Sequence, residues 1–100
     1  MPFLPLIMWY YVAKRRLDGI QILGSFNYIK KAREYAYAHI HEYYQLTIAI
    51  ETEDSIYKPI GDVYLGDMET ITYHGFGGLV RGVFLLNADG SLRPMDVKKE

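Results

Sequence analysis

One hundred residues, half of them hydrophobic, suffice for a single domain with one core. The absence of cysteine excludes disulfides, thiolate zinc sites and cysteine nucleophiles, a usage that fits a reducing cytosol. The net charge of −1 gives no global attraction to nucleic acid, but residues 1–50 carry six Lys/Arg against three Asp/Glu and residues 51–100 five against nine. Such a bipolar map suits protein partners or head-to-tail self-association, and equally suits plain solvated surface.

The chain opens on its most apolar stretch, Met1–Ala13. It is shorter than the roughly 20 apolar residues needed to span a bilayer. Its positive charges, Lys14, Arg15 and Arg16, come after the apolar run, the wrong order for a secretion signal. A cytoplasmic, non-membrane protein is expected. Met8 begins the first patterned strand, so residues 1–7 read as an N-terminal extension and Met8 as an alternative natural start.

Met8–Arg16 is rich in aromatic and β-branched residues and predicts a strand. Leu17-Asp18-Gly19 predicts a hairpin turn, because Asp and Gly tolerate positive φ. Ile20–Leu23 is the returning strand, broken at Gly24-Ser25. Asn27–Tyr44 has helical period: Ile29, Ala32, Ala36, Ile40 and Tyr43 share one face, with Ser25 or Asn27 as its cap. The two central alanines imply close approach to a sheet. In Gln45–Glu51, Leu46, Ile48 and Ile50 alternate with Gln45, Thr47, Ala49 and Glu51, the pattern of a half-buried strand. Thr52–Ser55 is a polar turn, and Pro59-Ile60-Gly61 punctuates the next stretch. Asp62–Leu65, Thr70–His74 and Leu79–Leu86 are strand candidates. Turns fall at Gly66-Asp67 and Asn87–Gly90, and a mobile loop at Gly75–Gly78. A short pairing segment or loose tail ends the chain, frayed over 96–100.

The expected architecture is therefore α+β, a single domain over residues 1–100. A mainly antiparallel sheet of five to six strands carries one amphipathic helix, in the order β-β-α-β-β-β. The helix covers one sheet face and leaves the other open or for a partner.

No catalytic constellation is apparent. His39 and His41 point about 200° apart on a helix and cannot share an ion, and His74 is alone on a strand. Gly75-Phe76-Gly77-Gly78 leads into a strand, whereas a phosphate loop opens a helix. Ser25, Ser55 and Ser91 lack a nucleophile elbow. Asp62, Asp67 and Glu69 form an acidic trio without calcium-loop spacing. Neither metal nor cofactor is expected.

Tyrosine is the unusual feature: ten occur, seven of them before residue 45. Tyr10 and Tyr11 are adjacent on a strand and cannot enter the same core. Exposed tyrosines are interface residues by chemistry, offering large rigid area with a polar tip. The leading expectation is a non-enzymatic protein-binding module, with self-association as a homodimer within its reach. Its contact residues would be Trp9, Tyr11, Tyr35 and Phe76, with Arg15 and Arg16 at the rim. The alternative is a single-stranded nucleic-acid binder using Lys14, Arg15, Arg16, Lys30, Lys31 and Arg33, the rings stacking on bases while the cations meet phosphates. A third reading is a small enzyme with its site assembled from scattered residues. No motif identifies a family. Short αβ chains without a catalytic signature are of the kind phages and mobile elements encode, and inhibition of a host factor such as a defence nuclease would suit one.

Overall fold

A computed structural model describes residues 8–78 and 80–95. The expectations of an extension at 1–7 and of fraying at 96–100 lie outside the described residues. Among the described residues seven antiparallel strands form one sheet, and a single α-helix packs on it, giving an α+β fold.

Strand β1 (Tyr10–Arg16) and strand β2 (Gly19–Phe26) make a hairpin around Leu17-Asp18. Gly19 supplies the positive φ, 141°, that the turn requires. Gly24-Ser25 does not break β2, contrary to expectation. The register shifts between Val12 and Ala13, so Leu23 is the extra residue of a bulge. A Cβ at Gly24 would stand 2.9 Å from Cε2 of Phe26 and 3.7 Å from Cζ of Tyr35. This glycine therefore admits aromatic rings instead of ending the strand.

Helix α1 (Ile29–Tyr43) comes next. Ala32, Ala36 and Ile40 are its buried stripe, with Ile29 and Tyr43 packed at the margins, as the period requires. Neither Ser25 nor Asn27 caps it: Tyr28 holds that position with no side-chain hydrogen bond. The Tyr28 carbonyl accepts from the N–H groups of Lys31 and Ala32. Tyr44 ends the helix in the left-handed conformation, φ 65°, and its N–H bonds the Ile40 carbonyl.

The remaining strands are β3 (Gln45–Ile50), β4 (Lys58–Leu65), β5 (Ile71–Gly75), β6 (Gly82–Leu86) and β7 (Leu92–Pro94), with a 3-10 turn at Asp67–Glu69 between β4 and β5. The spatial order is β2-β1-β3-β4-β5-β6-β7. The count exceeds five to six because the terminal pairing segment does join β6 as a strand. Pro59-Ile60-Gly61 was expected to interrupt the chain but lies inside β4. A bulge there opposes Pro59 to Ala49 and Gly61 to Ile48, and sends Ile60 into the core at 2% exposure. The loop after β5 is tied down: the N–H groups of Phe76 and Gly77 both donate to the Ile60 carbonyl.

Register fixes the two faces. Tyr10 and Val12 pair with Ile50 and Ile48, Leu46 with Val63, and Val63 with Tyr73, so these residues face the helix and form the core. Tyr11, Ala13 and Arg15 alternate with them onto the opposite face, joined by Thr47, Ala49, Asp62, Tyr64, Thr72 and His74. No described helix is long and apolar enough to cross a membrane.

Candidate functional site

Among the described residues no secondary-structure element lies over the face away from the helix, yet part of it is buried. Ala13 and Ala49 are fully buried, Thr47 is 2% exposed and Asp62 9%. These buried residues and the polar side chains around them define the candidate site.

Asp62, on β4, is its centre. Cross-strand Thr47 donates from Oγ1 to Asp62 Oδ1 at 2.8 Å, and Tyr64, two residues along, donates from its hydroxyl to Oδ2 at 3.3 Å. The Tyr64 oxygen in turn accepts from Gln45 Nε2 at 3.4 Å. On β5, His74 lies opposite Asp62 and meets the Tyr64 ring edge-on, centroids 4.6 Å apart. Thr72 Oγ1 holds His74 Nε2 at 3.0 Å. Strand alternation brings these groups together: Gln45 and Thr47, Asp62 and Tyr64, and Thr72 and His74 are each two apart on neighbouring strands.

Tyr57 comes in from the segment preceding β4. Burial raises its phenol above the usual tyrosine range, the Arg15 charge opposing this and Asp62 adding to it. Burial likewise raises Tyr64, reinforced by Asp62 through charge and hydrogen bond. Both phenols therefore remain protonated donors at neutral pH. Tyr11 borders the face and donates to Glu51 Oε1 at 3.4 Å; burial and that carboxylate raise its pKa. Where β1 and β3 separate, a cavity of about 290 Å³ opens between Lys14, Arg15, Glu42, Tyr43, Gln45 and Thr47. The Lys14 ammonium lies 5.2 Å from the centre of the Tyr43 ring at its mouth. The arrangement is a rigid polar surface with fixed donors, and both oxygens of its central carboxylate are occupied.

The six residues selected from sequence for protein contact do not form one patch. Tyr11 and Arg15 share the open face. Arg16, at the far end of β1, contacts Gln21 and Asp18. Trp9 is 40% exposed just before β1, beside Ser25, Asn27 and Tyr28. Tyr35 lies on the helix side of the sheet, its ring between Phe26 and His39 and its hydroxyl bonded to the Leu23 carbonyl. Phe76 is 45% exposed on the anchored loop after β5.

The six cations of the nucleic-acid alternative are likewise divided. Lys14 sits against Tyr43 at the helix C-terminal end, whereas Lys30 and Lys31 begin the helix at the other end. Lys30 faces Asp89 at 3.9 Å. Arg33 is not a surface cation, because it is buried in the helix–sheet interface. The acidic trio is also dispersed: Asp62 is in the sheet, while Glu69 contacts His41 Nε2 at 3.1 Å. Among the described residues no group of three His, Asp or Glu could hold a metal ion.

Sequence reasoning missed Asp62 as a centre, along with Thr47, Tyr57, Tyr64 and His74. The usable signal was the i, i+2 pairing of polar and aromatic residues in β3, β4 and β5. What it lacked was the register that superimposes them.

No protein-family model matches this chain, and comparison with curated proteins and with solved structures gave no match either.

Proposed function

We propose that the protein is a non-enzymatic binding module that engages a folded protein partner through the open face of its sheet. The observation that carries this is the preorganised network around Asp62. The phenols of Tyr57 and Tyr64, the ring of Tyr11 and the Arg15 guanidinium surround it on the face away from the helix. Rigid tyrosines lose little side-chain entropy on docking, and arginine and tyrosine are the residues that concentrate binding energy at interfaces. With each Asp62 oxygen accepting a hydrogen bond, the carboxylate ties β3 to β4 and supports the surface. The matching partner surface offers carbonyl and carboxylate acceptors opposite the Arg15 guanidinium. A module of this kind acts by occlusion, as an inhibitor of a host factor would. Separation of the basic clusters and burial of Arg33 disfavour the nucleic-acid alternative.

The test is affinity capture from native lysate, with and without nuclease, using the parent protein, Arg15→Glu and the helix-surface control Ala38→Glu. The reading requires a stoichiometric protein that survives nuclease, stays with the control and is lost with Arg15→Glu. Retention by Arg15→Glu, or recovery of nucleic acid alone, rejects it.

A further inference from the structure

On the opposite side of the sheet, Arg33 presents an anomaly. It is 9% exposed, and buried charges are normally paired. Its Nε donates to the Gly90 carbonyl at 2.8 Å, and its guanidinium carbon lies 5.5 Å from the centre of the Tyr73 ring. Among the described residues no carboxylate pairs with it and no acceptor takes its terminal nitrogens. The hydrogen bond to Gly90 accounts for how the helix docks on the β6–β7 turn. It leaves the two terminal nitrogens, which keep contact with solvent, without a described acceptor.

Beside this guanidinium lies a cavity of about 340 Å³, between the first turns of α1 and the loop after β5. Its other walls are apolar: Met8, Ile29, Ile50, Ile60 and Val80, with the rings of Tyr10 and Tyr73. Gly77 and Gly78 form one side, so the wall there is backbone. A volume of this size falls at the small end of ligand sites, which typically combine apolar walls with one or two orienting polar groups. We propose that this cavity binds a small apolar monocarboxylate, its carboxylate on the terminal nitrogens of Arg33 and its hydrocarbon tail against Ile29, Ile50, Ile60 and Val80. The acid neutralises the buried cation, and the tail replaces cavity with contact. The site is independent of the open face, which lies across the sheet.

Sodium octanoate is the first probe, titrated calorimetrically into the full-length protein, with octylammonium and octan-1-ol as ligands of the same chain length. The expected result is saturable 1:1 binding of octanoate, with both analogues weaker by at least about tenfold, since a charge-assisted pair in a buried site is worth at least about that factor. Arg33→Met should lose binding by a similar factor. Val80→Phe leaves the guanidinium in place and fills the tail space, so it should lose octanoate with its circular dichroism unchanged. No saturable binding to the parent protein overturns the proposal. So does equal affinity for acid, amine and alcohol, or full binding by Val80→Phe.

Discussion

The ring of Tyr73 lies across the backbone of Gly61, its diagonal neighbour on the adjacent strand, and only a residue without a side chain fits beneath it. A Cβ at Gly61 would stand 2.6 Å from Cε1 of that ring and closer still to the hydroxyl. Tyr73 is 1% exposed, so relieving the contact means displacing a buried ring. Gly61→Ala should therefore destabilise the protein by about 1–3 kcal/mol, the usual cost of overpacking a core. For a domain of this length that lowers the melting temperature by at least about 4 °C, readable by thermal circular dichroism.

Gly90 is under a tighter constraint. Its φ is 87°, and an added Cβ would stand 3.0 Å from the Glu34 nitrogen and 3.1 Å from the Lys30 carbonyl carbon, both helix backbone. Gly90→Ala combines left-handed strain with a clash that no rotamer can relieve. The expected loss is at least about 2 kcal/mol by urea denaturation, because helix and turn must separate, weakening the Arg33 hydrogen bond as well.

The polar network is expected to act as a unit. Thr47→Val deprives the buried Asp62 carboxylate of its shorter hydrogen bond, which should cost about 1.5–3 kcal/mol. Tyr64→Phe removes the other donor. If the two donors share one carboxylate as the geometry shows, the double variant departs from the sum of the singles by at least about 0.5 kcal/mol in a double-mutant cycle. Strict additivity would show that the two contacts are energetically separate.

Alkaline pH should weaken the fold through the buried phenols. Burial raises Tyr57, Tyr64 and Tyr73 above their ordinary value of 10.0. A raised folded-state pKa contributes stability that is complete below the unfolded value and is lost as pH rises through the folded one. Melting temperature should thus fall above about pH 10. Tyr73→Phe should flatten that fall. A slope unchanged in the variant would assign the loss to other groups.

Much of the fold was legible because it is written in local periods. The stripe Ala32, Ala36, Ile40 and the alternation of Leu46, Ile48 and Ile50 each fix one face of one element. The errors fall where tertiary contacts override local signals. Gly24 and Pro59 look like strand breakers, but both sit beside bulges whose extra residues, Leu23 and Ile60, pack inward. Arg33 reads as one more cation in a basic run until the β6–β7 turn lands on it. The open-face site was half legible: each strand's polar alternation is visible, but Asp62 meets Thr47 and lies opposite His74 only once three strands are aligned.

The strand order also bears on how the chain assembles. Every hydrogen-bonded pair of strands except one joins neighbours in the chain, and the exception, β1 with β3, spans the returning strand and the whole helix. That closure is the longest and individually the most costly in chain entropy, while the other pairings can form through short hairpins. Val12 and Ile48, which face each other across the closure, should belong to the folding nucleus, so truncating either should chiefly slow refolding. Leu92, at the outer edge, joins late, and truncating it should chiefly speed unfolding in stopped-flow denaturant jumps.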